Sequence, residues 1–191
     1  GDYDSLKEFS SDHNNAITWR HLLQQTSEWE GTLWSKPDQV DRNRQVGPDA
    51  NHSQKGQPRQ LMEPGGYWEY NDVRVNLAAL CLTRLFETSL SDVLRKNIMD
   101  PIDASHSWEW HGYRNSYIEI KGRLVQSVSG GAHWGGGLWI SSLDHARMGL
   151  LISRHGRWGD VEILPEHCLG PLFAPCPLNL NYGFLWWLNS N

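Results

Sequence analysis

The chain has 191 residues, 39% hydrophobic and 20% charged, a balance that suits one globular domain with a buried core and excludes a disordered polypeptide. Its formal charge of -5 is spread along the sequence with no Lys/Arg run able to neutralise a row of phosphates, so a nucleic acid partner is not expected. No apolar stretch is long enough to span a bilayer, and the opening "GDYDSLKEFSSDHNN" is acidic and polar where a signal peptide is basic and then apolar, so the chain is expected to be soluble and without a membrane partner.

In chain order, "ITWRHLLQQTSEWEG" carries Thr18 as a helix N-cap and Leu22 and Leu23 as anchors, which predicts a short helix over 18–26 before a stop at Gly31. Residues 32–66 are rich in Pro, Gly, Asp, Asn, Gln and Arg and lack periodicity, so they read as a long irregular excursion. Val73, Leu77, Leu80, Cys81 and Leu85 recur at helical spacing and predict a helix over 72–87. Ser89 caps a second helix to about Lys96, which Asp100-Pro101 ends. "SYIEIKGRLVQSVSG" alternates on both sides of Lys121-Gly122 and predicts a hairpin. Ser141 or Ser142 caps a helix bearing Ala146, Met148, Leu151 and Ile152; "GRWGDVEIL" is a short hairpin; a further helix starts near Pro165. The final "NYGFLWWLNSN" reads as an aromatic strand with no pairing partner after it, an edge through which the chain is expected to self-associate.

Cys81, Cys168 and Cys176 form no CxxC pair and no disulfide framework, and their odd number suits a reducing compartment. Eleven Trp supply rigid aromatic surface of the kind that fills cores and lines clefts. GxSxG, HExxH, CxxC, GxxxxGK[ST] and GxGxxG are all absent. "GGAHWGGG" lacks the Lys-Ser/Thr of a phosphate loop, so phosphate binding there is not expected. Tyr70 and Asp72 form Tyr-x-Asp at a helix start, where the dipole and unpaired amides favour an anion and lower a tyrosine's pKa. A phenolate there, near an ammonium, serves as general base for a serine hydroxyl and then as general acid for the leaving group. Spacing alone favours the other reading, a tyrosine that packs its ring and hydrogen-bonds its hydroxyl.

A resemblance changes that balance. "ITWRHLLQQTSEWEG" resembles the "hLLtHTSG" segment of the serine β-lactamase and penicillin-binding-protein superfamily, in its class C and esterase branch. "PGGYWEYND" resembles that branch's "PGxxfxYSN", "MDPIDAS" stands where it has "PLGM", and "GGGLWISSLDHARMGLLI" resembles its "GGLxSTAxDmarf", all in the same order. The resemblance implies that Tyr70 shuttles the nucleophile's proton. It places Asp72 where the family has an Asn that binds substrate and the catalytic lysine; a carboxylate can pair with that lysine but has no amide hydrogen to donate. His133, Trp134, Gly135 and Gly136 fall along one wall of the family's cleft, as substrate contacts or as a turn with an aromatic packed over it. Gln25 and Glu28 replace the family's usual His and Gly at positions that are normally structural.

Two of the family's motifs are missing from the 191 residues. No serine is followed three residues later by lysine (Ser5 leads to Glu8, Ser53 to Gly56, Ser91 to Leu94), and no Lys-Thr-Gly or His-x-Gly follows the last helix. The resemblance therefore implies a mainly α chain with small antiparallel β-hairpins: the all-α part of a β-lactamase-like α+β serine hydrolase fold, most of the sheet missing, as a single domain over 1–191. The implied parent activity is acyl-enzyme hydrolysis of a small-molecule ester, amide or lactam, with no cofactor and no metal. The aromatic content and the absent Lys-Thr-Gly favour an ester or amide over a lactam. Without a nucleophile the chain alone is expected to be inactive. The alternatives are a non-catalytic ligand-binding module, or one half of a split or domain-swapped assembly completed by another chain.

Overall fold

The structure, a computed structural model, describes residues 6–130 and 136–189. It is α+β with small antiparallel sheets, 34% helical and 18% strand. Two compact units divide it, one made of Gly1–Ala78 with Pro175–Asn191 and the other of Ala79–Ala174. Among the described residues no helix is long and apolar enough to cross a membrane.

The first unit opens with helices α1 (Asp12–Asn15) and α2 (Trp19–Leu23). The Thr18 cap is present as a capping box: the His21 N–H donates to Thr18 Oγ1 at 3.3 Å and the Thr18 N–H to His21 Nδ1 at 3.2 Å. Burial, then the neighbouring Arg20, lowers the His21 pKa, which keeps that nitrogen free to accept. The helix ends at Leu23, shorter than the expected 18–26, because Gln25 takes a positive φ of 58° and breaks the turn. The irregular stretch 32–66 contains a two-residue ladder, β1 (Thr32–Leu33) with β2 (Lys36–Pro37), and a 3-10 turn over Asp38–Asp41.

Helix α3 (Asp72–Phe86) begins where the periodicity places it, and Asn71 starts it. Its buried Oδ1 accepts from the N–H groups of Val73 at 3.1 Å and Arg74 at 3.3 Å, satisfying donors that the first helical turn leaves open. Val73, Leu77 and Leu80 are fully buried, as the spacing requires. The boundary between the units falls within α3, between Ala78 and Ala79.

The C-terminal segment is not the expected strand. It reverses: Tyr182 bridges Trp187, the Gly183 N–H donates to Trp186 O at 2.8 Å, and the Leu188 N–H to Asn181 O at 2.8 Å. Leu185 has φ 59°, outside the extended region, so the aromatic run folds on itself and docks by its Leu185 N–H on Leu23 O at 2.9 Å.

The second unit continues α3 into α4 (Leu90–Leu94), capped by Ser89 and followed by a π-helical turn over Arg95–Met99. The hairpin at Lys121-Gly122 joins β3 (Glu109–Ile120) to β4 (Arg123–Val128), with both turn residues at positive φ. Strand β5 (Gly137–Trp139) pairs on the other side of β3, giving the order β4-β3-β5. Helix α5 (Ser142–Ser153) is capped by Ser141, and hairpin β6 (Arg157–Trp158) with β7 (Val161–Glu162) leads to α6 (Glu166–Phe173). Met99, Ile102, Trp108 and Leu151 form the core of this unit, with Trp110, Met148 and Trp158 packed against it.

Candidate active site

Tyr70 stands immediately before the Asn71 cap, so whatever fixes the start of α3 fixes the tyrosine. Three contacts do so. The Asn71 N–H donates to Gln25 Oε1 at 3.2 Å, the Asn71 Nδ2 to Asp38 O at 2.9 Å, and the Glu69 N–H to Gln25 O at 3.0 Å. Gln25, at the position where the resembled family carries His, thus pins both sides of Tyr70.

Around the ring the structure gathers charge and aromatic surface. The Arg44 guanidinium lies 4.9 Å from the Tyr70 ring centroid, and its Nη1 is 2.9 Å from Asp72 Oδ2. Asp41, fully buried, sits 3.8 Å from the same guanidinium nitrogen, accepts the Asp72 N–H at 3.1 Å and is 2.9 Å from Lys55 Nζ. Trp187 stacks on Tyr70 at 5.6 Å between centroids with 28° between planes, and Tyr182 meets it edge-on at 6.3 Å. Trp68 closes the cluster against Tyr182 and Trp187. Beside Trp187 an open groove of about 580 Å³ is lined by Val46, Gly47, Asn179, Asn181 and Leu188 among others.

The expected lowering of the Tyr70 pKa is overturned: it is raised. Burial is the largest cause, the negative charges of Asp72 and Asp41 add to it, and Arg44 opposes them. The dipole of α3 does not win, because the hydroxyl is taken partly out of water beside the Asp72 carboxylate. Tyr70 is therefore a neutral phenol at neutral pH, able to donate a hydrogen bond or a proton. Tyr182 is raised too, by burial and then by Tyr70.

Asp72 is buried and pairs with Arg44, a cation that no motif pointed to. Glu28 explains itself by its backbone: at φ 49° it occupies the left-handed region that suits the family's Gly, and its carboxylate fills a buried hub. Arg59 grips it bidentately at 2.6 Å on both oxygens, Arg74 Nη1 lies 2.8 Å away, and the Met62 N–H donates at 2.9 Å. Arg74 and Arg59 are shared with Glu69, and Arg74 with Asp38.

His133, Trp134 and Gly135 lie outside the described residues. Gly136, in the second unit, is closely packed: a Cβ on it would stand 2.4 Å from Ser129 Cβ and 3.0 Å from Tyr113 Cε1. Sequence reasoning missed Arg44, Arg59, Tyr182 and Trp187. The two aromatics carried a signal in the density of rings at "YGFLWW"; the arginines, scattered through an aperiodic segment, carried none. Among the described residues no group of three or more His, Cys, Asp and Glu is arranged to hold a metal.

The sequence profile of the family described as Beta-lactamase matches residues 4–113. No curated protein matches the chain. Among solved structures, a candidate beta-lactamase from Bacteroides dorei DSM 17855 is similar at a TM-score of 0.61 and 17% identity, over 95% of this chain and 55% of its own. A penicillin binding protein from Bacillus halodurans is similar at 0.56 and 18% identity, over 92% of this chain and 57% of its own. At these identities the likeness is one of fold, and the chain spans a little over half the length of each.

Proposed function

Because the chain belongs to the beta-lactamase family, we propose that it is part of a serine hydrolase working through an acyl-enzyme, with Tyr70 carrying the nucleophile's proton. The observation that supports this reading is the fixing of Tyr70: its backbone is held on both sides by Gln25 while its ring faces Arg44 and Asp72. A proton-transfer group needs a set position and a controlled charge, whereas a packing tyrosine needs only the first. Cationic charge that offsets Asp72 and burial lets the phenol ionise; the phenolate then takes the serine proton as general base, and the phenol so formed gives it to the leaving group as general acid.

In this reading the nucleophile and most of the sheet are supplied from outside these residues, by the same polypeptide or by a complementing chain, and the substrate is a small ester or amide in preference to a lactam. The test uses the 191-residue chain with and without a Ser-x-x-Lys segment from a structural relative, joined to it or added in trans. Alone, the chain is expected to leave nitrocefin and p-nitrophenyl esters at background and to take no fluorophosphonate label; with the segment it labels stoichiometrically and turns over. Labelling of a serine within the chain itself would overturn the assignment.

A second reading, a ligand-binding module without catalysis, is favoured by one observation, the open groove beside the Trp68, Tyr182 and Trp187 cluster. It predicts saturable quenching of tryptophan fluorescence by ring-bearing esters that Trp187→Ala abolishes, with no labelling in either arm of the experiment above.

A further inference from the structure

Arg44 belongs to the irregular stretch, to no motif, and to no part of the site that the sequence suggested, yet it meets both the Tyr70 ring and the Asp72 carboxylate. Its guanidinium lies over the ring at 4.9 Å, and its Nη1 is 2.9 Å from Asp72 Oδ2 and 3.8 Å from Asp41 Oδ1. The Arg44 side chain is 18% exposed, Asp72 4% and Asp41 not at all, so these charges act across a medium that screens them far less than water does.

We propose that Arg44 is the positioning residue of Tyr70: its guanidinium caps the phenol ring, ties it to the Asp72 carboxylate, and is the cation that governs how readily the hydroxyl gives up its proton. The proposal deepens the reading of Tyr70 as the proton-transfer group, and is tested without turnover, so that its failure is separate from the failure of that reading.

Where the resembled family has a neutral amide, this chain has Asp72, whose negative charge stands next to the phenol and opposes formation of a phenolate. A tyrosine so placed needs a permanent positive charge of its own. Arginine suits the position better than lysine, because it is charged at every accessible pH and is flat enough to lie on a ring. Asp41 adds a second negative charge 3.8 Å from the same Nη1, while it accepts the Asp72 N–H and faces Lys55. The titratable groups facing Tyr70 are thus Asp72 from α3, Arg44 and Asp41 from the irregular stretch, and Tyr182 from the C-terminal reversal.

The experiment labels the chain with 3,5-difluorotyrosine, which ionises at lower pH than tyrosine, assigns the Tyr70 resonance by its loss in Tyr70→Phe, and follows it by ¹⁹F NMR against pH. Arg44→Met keeps the stem and removes the charge. The phenolate-to-phenol ratio at a fixed pH is expected to fall by roughly tenfold, with Arg44→Lys between the two and Asp72→Asn raising the ratio. An Arg44→Met protein that is folded by circular dichroism and titrates like the parent overturns the proposal, since a merely structural arginine would change the melt and leave the midpoint. If Arg44→Met does not fold, Arg44→Lys and Asp72→Asn decide: a midpoint unmoved in both overturns the proposal equally.

Discussion

At the scale of single residues, Glu28 shows how a departure from a family pattern becomes intelligible only with its partners in view. Its left-handed backbone is what a glycine would provide, but its buried carboxylate has drawn in Arg59 and Arg74. Leaving a buried charge without any partner costs about 3 to 5 kcal/mol; Arg59→Met leaves Arg74 on Glu28 and Glu69, so it is expected to destabilise the first unit by less than that in urea titration. Glu28→Gly, though it relieves the backbone, is expected to be destabilising as well, because it leaves Arg59 and Arg74 to the remaining carboxylates of Glu69 and Asp38. The pH dependence has a definite sign. Burial pushes the Glu28 pKa up, but the hydrogen bonds from Arg59 and the charge of Arg74 more than offset this and hold it below 4.5. A depressed carboxyl contributes stability above its unfolded pKa and loses it as pH falls toward the folded value, so the parent should weaken below about pH 4.5 and Arg59→Met should show less of that loss. None of this is legible in the sequence, where Gln25 and Glu28 stand as replacements without visible partners: Arg59 lies thirty-one residues from Glu28 in a stretch without periodicity, and Asn71 and Arg74 stand at the start of α3, forty-six residues from Gln25 and Glu28 respectively. Tyr70 and Asp72 were legible because a motif and a helix start coincide there; the sign of the Tyr70 shift was not, since burial is a property of the fold.

At the scale of elements, the caps were the most readable features. Thr18, Ser89 and Ser141 each accept the N–H that an N-cap should, and α3 and α5 begin within a residue of the expected places. Helix α5 adds a lock that the sequence did not disclose. Asp144, buried in its first turn, accepts from Ser105 Oγ at 2.6 Å, from the Ser105 N–H at 2.9 Å and from Ser141 Oγ at 2.8 Å. The Ser105 hydrogen bonds are the main reason its pKa is lowered to about 2. Since the folded value lies below 3.8, this contribution is present above 3.8 and disappears as pH falls from there to about 2. Asp144→Asn is expected to lower the melting temperature at pH 7 and to flatten its decline in acid; an unchanged acid profile would show that Asp144 is not the group responsible. The sheet was only half legible. The β3–β4 turn announced itself in Lys121-Gly122, but β3 starts at Glu109 and carries a bulge between Gly112 and Tyr117, because Ser116 Oγ replaces the ladder there by accepting from the Tyr113 N–H at 2.8 Å. A bulge suspends the period of two on which strand recognition depends. The aromatic C-terminal run misleads for a similar reason: its composition suits a strand, while its direction is set by one residue, Leu185, at positive φ.

At the scale of the whole molecule, the family match over residues 4–113 runs from the first unit across Ala78 and Ala79 into the second, so the boundary between compact units is not a boundary of the family. The order of four modest motifs carried that membership in the sequence, because order survives where individual residues such as the motif Asn do not. Chemistry was less legible than kinship, since a hydrolase is defined by a nucleophile and these residues hold no Ser-x-x-Lys. The central claim, that Tyr70 moves a serine's proton, is most directly tested by kcat and KM of Tyr70→Phe in the chain combined with the Ser-x-x-Lys segment. The account predicts a fall in kcat of roughly a hundred- to ten-thousandfold with little change in KM and an intact fold. A kcat near the parent's, with stability lowered by about 0.5 to 1.5 kcal/mol from a missing hydrogen bond, would contradict it and leave Tyr70 a packing residue.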